Sequence, residues 1–249
     1  MNKFTDAGVY CYAVAVGAFG VIMLFVRGFL AGLLPVPDSV PLHGVLWVVT
    51  SVAFIAAAVA VLVGFRRKLA LEVIGVIFLL YLVGLHLPVL FSNVYNGGAW
   101  AATFEIIMLA SGAFIIAGTR IAAVAGHYLF AASLFLFAIQ HIMYFDYIVS
   151  LIPAWLPMKV EWAYVVIAAY VLCGISFILG RRVGLAAFWL GVMFGSWVIV
   201  LHGPRAIGHW NVEAEWTSLF VALAVCGVAL DISGQWLYRN RTVELVHAA

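Results

Sequence analysis

The sequence predicts an all-α integral membrane protein with eight transmembrane helices, arranged as two tandem four-helix bundles of parallel orientation. Two observations support this prediction. The 249 residues are 67% hydrophobic and 9% charged, with a mean hydropathy of +1.19, far outside the soluble range. The chain also repeats itself at one fixed shift. So little polar surface excludes a soluble enzyme, and the 12 basic residues form no stripe for a nucleic acid.

Eight apolar stretches are each long enough to cross a bilayer, which takes roughly 20 residues of helix. Short basic breaks alternate with longer breaks that carry prolines, aromatic residues, Asn and acids. The predicted spans are 8–31, 42–64, 69–91, 99–118, 126–149, 161–179, 183–203 and 215–233.

The basic residues lie mainly on one side of the predicted membrane. Only Arg27, Lys159 and Arg205 of the 12 fall on the other side. The positive-inside rule assigns the basic side to the cytoplasm, so both termini are expected there. The three cysteines lie singly in apolar runs and form no Cys-x-x-Cys pair, so they are read as small core residues.

The repeat aligns without a gap, and His202 follows His86 by 116 residues. Prolines, tryptophans and an arginine fall on the same diagonal: Pro37 with Pro153, Pro41 with Pro157, Arg66 with Arg182, Pro88 with Pro204 and Trp100 with Trp216. The predicted units are a first repeat over 8–118, a second over 124–234 and a short cytoplasmic tail over 235–249. Because four helices per repeat is an even number, both halves enter the membrane in the same direction, related by a pseudo-twofold axis along its normal.

His86 and His202 are the first candidate site residues. Each ends the third helix of its half on the outer side, and a proline follows two residues later. A proline lacks an N–H and breaks the helical ladder, so each histidine could simply satisfy freed backbone groups. Two imidazoles could instead donate to a quinone carbonyl, or, as the weaker alternative, hold a metal ion or a haem iron.

Gln140 and His141 are the second candidate pair, near the outer end of the fifth helix. The matching residues of the first half are Leu24 and Phe25, so the second half has gained polarity there. A polar pair inside a membrane is a functional-site hypothesis, and a hydrogen bond to a neighbouring helix would account for it equally well.

Glu105 lies five residues after Trp100, roughly 7 Å below the interface. Its counterpart is Val221. It could form a salt bridge with Arg27 at the outer end of the first helix, or handle a proton. Arg205 lies in an outer loop among histidine, glutamate and tryptophan residues; this loop could be a solvated rim or part of a polar pocket.

The second half resembles the DoxX-like family of bacterial membrane proteins. The residues that carry the resemblance are Gln140, His141, Asp146, the run Ile152-Pro153-Ala154-Trp155-Leu156-Pro157, Trp162, the run His202-Gly203-Pro204-Arg205 and the run Glu215-Trp216-Thr217-Ser218. The first half resembles the family through His86-Leu87-Pro88, Trp100 and Phe104-Glu105. The resemblance implies a duplicated four-helix unit in a bacterial cytoplasmic (inner) membrane. It also implies a link to quinones, because the family takes its name from a subunit of a thiosulfate:quinone oxidoreductase.

Three functions are compatible with these residues. The first is a redox-linked subunit that binds quinone in a polar pocket at the outer helix ends, formed by His86, His202, Gln140, His141, Glu105 and Arg205. Such a subunit needs a redox partner protein, because the sequence encodes no flavin, iron–sulfur or dithiol motif. The second is a proton-linked carrier for a small solute, and the third is a scaffold without catalysis. Self-association into a homo-oligomer is compatible with each.

Overall fold

The structure, a computed structural model, describes residues 3–247, and side chains over 3–237. Within this range every regular element is helical. Eight helices, numbered here as spans 1 to 8, are long and apolar enough to cross a membrane: Lys3–Val26, His43–Leu62, Arg67–Ser92, Gly97–Ala117, Arg120–Met143, Lys159–Leu179, Val183–Gly208 and Glu213–Leu237. The chain is therefore an all-α, multi-pass membrane protein, as the sequence predicts.

Spans 3 and 7 show the internal repeat in their local structure. Each has 26 residues, and each contains a five-residue π-helical turn, at Leu82–His86 and at Val198–His202. A short α-helical segment follows each turn, over Leu87–Ser92 and Gly203–Gly208. The two candidate histidines therefore occupy the last position of equivalent π turns.

The basic loops also repeat. Gly64 and Gly180 have φ angles of 75° and 63°, and Arg66 and Arg182 also lie in the left-handed region. Glycine adopts positive φ without a steric cost, which allows a tight reversal between consecutive helices. These short loops make spans 2 and 3, and spans 6 and 7, antiparallel neighbours.

The spans pack as a closed ring in chain order. Each span contacts the next along the chain, and span 1 closes the ring against span 8. Spans 4 and 8, which are equivalent in the repeat, also contact each other across the middle. This contact divides the ring into two groups of five helices: spans 8, 1, 2, 3 and 4, and spans 4 to 8. The division into units 8–118 and 124–234, and their description as bundles of parallel orientation, stay predictions.

Spans 1 and 8 approach each other through glycines. A Cβ added to Gly8 would lie 2.6 Å from the backbone nitrogen of Asp231, and one added to Gly227 would lie 2.7 Å from that of Tyr12. Small residues permit this backbone-to-backbone packing in membranes, where the hydrophobic effect does not hold helices together. The Tyr12 hydroxyl donates a 2.6 Å hydrogen bond to the carbonyl oxygen of Leu109, which ties span 1 to span 4.

Span 1 ends earlier than predicted, at Val26 rather than at residue 31. Arg27 adopts a left-handed φ of 54°, which turns the chain out of the helix. The apolar residues that follow, Leu30, Leu33 and Leu34, fold back into the protein core and are fully buried. Hydropathy alone cannot separate a helix end from a core-filling segment, which explains the difference.

Other boundaries also differ. Span 7 ends at Gly208 instead of residue 203, so Arg205 lies in its last helical segment and not in the predicted loop. Span 5 runs over Arg120–Met143 instead of 126–149, and a separate short helix, Phe145–Leu151, follows it. The last helix runs over Glu213–His247, well past the predicted end at residue 233. The predicted tail therefore continues the helix as far as residue 247.

Candidate functional site

One cavity of about 410 Å³ lies among spans 4 to 8 and the short helix after span 5. Its lining residues come from the first half and middle of spans 4, 6 and 8, from the end of span 5 and from the middle and end of span 7. Gly32, in the segment after span 1, and residues 148–152 complete the lining. The cavity is therefore near the helix ends opposite the basic loops, where the sequence predicts a polar pocket. Its aromatic and polar lining residues are Glu105, Phe137, His141, Tyr170, Phe194, Trp197, His202, Thr217 and Ser218.

Small side chains open this space in the second half. Ala163 and Val225 line the cavity, whereas the residues 116 positions earlier are Trp47 and Leu109. Both larger residues pack in the core of the first half. The duplicated halves thus use the same helices, and one of them leaves a space of ligand size, since ligand cavities usually measure about 300–1,000 Å³.

The π turns place the two histidines in different surroundings. In each turn, the backbone N–H of the next residue bonds five residues back, from Leu87 to Leu82 and from Gly203 to Val198. π turns of this kind are frequent at functional sites. His202 is half-buried and lines the cavity, and none of the described hydrogen bonds involves its ring.

His86, the equivalent histidine, does not line the cavity. It is only 3% exposed and interacts with the backbone of Leu33, in the segment that fills the first half. Its Nε2 atom is buried without a hydrogen-bond partner among the described residues. The structure therefore places His86 in the packed core, which agrees with the structural reading that the sequence left open and not with a ligand contact.

His141 lines the cavity and has a fixed orientation. Its Nδ1 atom lies 2.8 Å from the carbonyl oxygen of Phe137, and its ring meets the Tyr170 ring edge-on at 5.2 Å. A carbonyl oxygen only accepts hydrogen bonds, so Nδ1 carries the hydrogen and Nε2 of the neutral ring is an acceptor.

Gln140 has a structural contact instead. Its amide Nε2 donates a 3.0 Å hydrogen bond to the carbonyl oxygen of Gly97, at the start of span 4. This bond joins spans 5 and 4 beside the cavity, and Gln140 is not among the lining residues.

Glu105 lines the cavity from span 4 and is half-buried. Within the part of the chain that the structure describes, its carboxyl group makes no hydrogen bond or ion pair, and the salt bridge to Arg27 that the sequence allows is not formed. Tyr170 lines the same cavity from span 6. The cavity thus contains a carboxyl group whose oxygens are free to meet a ligand.

Arg205 forms a salt bridge with Glu215. Its Nη2 and Nε atoms donate to the two carboxylate oxygens at 2.6 and 2.9 Å, in the bidentate geometry that makes such pairs strong. The pair joins the end of span 7 to the start of span 8, and Arg205 does not line the cavity. Its guanidinium therefore joins two helix ends near His202 and is not free to bind a ligand.

Sequence reasoning missed the aromatic walls. Tyr170 lies at their centre, with ring centroids 6.2 Å from Phe137 and 6.0 Å from Phe194. Trp197 meets Trp162 edge-on at 6.2 Å. The sequence did contain one indication of the cavity. The second half has Ala163 where the first half has Trp47, and a small residue in place of a large one indicates space.

A flat conjugated ring such as a quinone fits this lining, which combines aromatic faces with a few polar groups. The alternative of a metal ion or haem between His86 and His202 gains no support, since only His202 reaches the cavity. Among the described residues, no group of three or more His, Cys, Asp or Glu side chains is arranged so that it could hold a metal ion.

Comparisons with known proteins add no assignment. No protein-family model, characterised protein or solved structure matches the chain. The case for function therefore depends on the cavity and its lining residues.

Proposed function

We propose that this protein is a quinone-binding, redox-linked membrane subunit whose ligand site is the cavity among spans 4 to 8. The observation that carries the proposal is the convergence of Glu105, His141 and His202 on one aromatic-walled space of about 410 Å³. Ionisable groups inside a membrane segment are energetically costly, so those without a partner are candidate functional groups.

The lining residues have distinct parts in holding a quinone. Phe137, Phe194 and Trp197 offer aromatic faces to the ring. His202 and the Tyr170 hydroxyl make none of the described hydrogen bonds, so each can donate one to a quinone carbonyl. When bound, the quinone would supply two-electron redox chemistry.

The electrons have to be exchanged with a redox partner protein. Cys173 and Cys226 are buried and direct their thiols to the backbone carbonyl oxygens of Ala186 and Gly191. The remaining cysteine, Cys11, is also a free thiol. These cysteines serve packing, and a complete oxidoreductase would need a second subunit with its own redox group.

The resemblance to the DoxX-like family supports the same proposal, because it points to quinones independently of the cavity. We extend the proposal to membership of that family and to location in a bacterial cytoplasmic membrane, with both termini in the cytoplasm. The cavity would then lie in the half of the membrane away from the cytoplasm.

Titration of the purified protein in mild detergent tests the proposal. The probe is a short-chain benzoquinone, followed by calorimetry, with His202→Leu as the site variant and His86→Leu as its matched control. The loss of one buried hydrogen bond corresponds to about a tenfold weaker Kd, so we expect that loss in His202→Leu. Because His86 lies outside the cavity, its variant should bind within about twofold of the wild type.

Absence of binding up to the solubility limit of the quinone would contradict the proposal. Equal weakening by both histidine variants would show that the cavity is not the site. Native mass spectrometry of the same samples reports retained quinone and the oligomeric state, which tests self-association as well.

A proton-linked carrier is the second candidate, favoured by the unpaired carboxyl group of Glu105. Flux of candidate solutes into proteoliposomes under an imposed proton gradient would then depend on that residue and stop in Glu105→Gln. Quinone binding without flux would exclude the carrier, and neither activity would leave the scaffold function.

A further inference from the structure

The hydrogen-bonding groups that line the cavity are unevenly distributed between donors and acceptors. The Thr217 hydroxyl donates to a carboxylate oxygen of Glu213, and the Ser218 hydroxyl donates to the carbonyl oxygen of Ala214 at 2.8 Å. Each hydroxyl has a single hydrogen. Both side chains can therefore only accept a hydrogen bond from a ligand.

Two stronger acceptors face the cavity on the side of spans 4 and 5. His141 holds its Nδ1 hydrogen against the Phe137 carbonyl oxygen at 2.8 Å, which leaves Nε2 of the neutral ring as an acceptor. Glu105 has no partner within the described chain, and a carboxyl group keeps an accepting oxygen in either protonation state.

No cationic side chain balances these acceptors. The lining residues include no Lys or Arg, and the nearby Arg205 is held by both oxygens of Glu215. The remaining donors are His202 and the Tyr170 hydroxyl, which make none of the described hydrogen bonds. The cavity thus offers two free donors and two strong acceptors around aromatic walls.

We propose, on the basis of the quinone-binding function above, that this site binds the reduced dihydroxy form, a hydroquinone, in preference to the oxidised dione. Each hydroxyl of a hydroquinone both donates and accepts. The two hydroxyls of the molecule can together donate to Glu105 and to Nε2 of His141 while they accept from His202 and Tyr170.

The dione leaves part of this site unsatisfied. Its carbonyl oxygens only accept, so they can pair with the two donors but with neither Nε2 of His141 nor the ionised carboxylate of Glu105. Enclosing these acceptors without a donor costs about 1–3 kcal/mol each. Binding of the dione is therefore weaker by at least about tenfold.

Paired titrations test this preference. A short-chain benzoquinone and its chemically reduced hydroquinone are titrated separately into detergent-purified protein by anaerobic calorimetry. Wild-type protein should bind the hydroquinone at least about tenfold more tightly. The variants Glu105→Val and His141→Phe insert the residues that the repeat carries at the matching positions, Val221 and Phe25. Each should weaken hydroquinone binding about tenfold and leave dione binding within about twofold.

His86→Leu is the matched control, because His86 lies outside the cavity and should leave both affinities unchanged. Equal or tighter binding of the dione would overturn the preference while the quinone-binding function stands, whereas failure of both forms to bind would remove that function too. A preference that persists in both variants would overturn the assignment to Glu105 and His141. Tighter binding of 2-phenylethylamine than of the hydroquinone would reassign these acceptors to an arylalkyl ammonium ligand.

Discussion

Replacing Ala163 by tryptophan should close the cavity and stabilise the protein. The first half carries Trp47 at the matching position, so the substitution copies a packing solution of the same fold. Empty cavity space costs about 24 cal/mol per Å³. Filling roughly a quarter of the 410 Å³ would then add about 2.5 kcal/mol to the free energy of unfolding, or a rise in Tm of roughly 5–10 °C.

The assay combines thermal unfolding in detergent with titration of the hydroquinone. Ala163→Trp should lose ligand binding by at least about a hundredfold, since a filled cavity leaves no room for a ring. Val165→Trp is the matched control, because Val165 lies two residues later in span 6 and is 51% exposed. It should leave both Tm and affinity unchanged.

Unchanged affinity in Ala163→Trp would refute the assignment of the cavity as the ligand site. A chain that fails to fold would show overpacking, and the milder Val225→Leu, which copies Leu109, then makes the same test. Weaker hydroquinone binding in the Val165→Trp control as well would indicate a general disturbance of span 6.

Three further outcomes follow from the packing and the charges. Gly8→Ala should lower the free energy of unfolding by about 2 kcal/mol, because the added Cβ meets backbone. Gly44 has open space around it, so Gly44→Ala should leave the stability unchanged. Equal Tm values for the two variants would contradict the close approach of spans 1 and 8. Arg205→Ala should cost about 1 kcal/mol, and a double-mutant cycle with Glu215→Ala should assign most of that loss to their pair; a coupling near zero would show that the two charges act separately. In a cysteine-free background, Arg181→Cys should react with an impermeant thiol reagent only after the cells are permeabilised, whereas labelling of intact cells would reverse the predicted orientation.

The number and order of the spans could be predicted because hydropathy reports a property of each segment alone. The repeat could also be predicted, and the two π turns recur at the positions that His86 and His202 occupy in it. The end of span 1 could not. Its apolar run passes through Arg27 into Leu30, and only tertiary packing decides that this run leaves the helix and fills the core.

The site was only partly accessible to sequence reasoning. Glu105, His141 and His202 were identified by their polarity within apolar helices and do line the cavity. Gln140 and His86 have the same polarity but face a neighbouring backbone. The direction in which a side chain points from its helix becomes meaningful only when the neighbouring spans are known. The contact between spans 4 and 8 is not encoded in any local sequence pattern.

The two halves differ in how they resolve the same arrangement of helices. The first fills its interior with Trp47, Leu33 and Leu34 and keeps His86, whose buried Nε2 has no described partner. Such a group costs about 1–3 kcal/mol, so packing stability alone does not explain a histidine at that position. The equivalent His202 lines the cavity. Under the proposed function, the second half keeps this position open for a ligand, whereas packing closes the equivalent position in the first half.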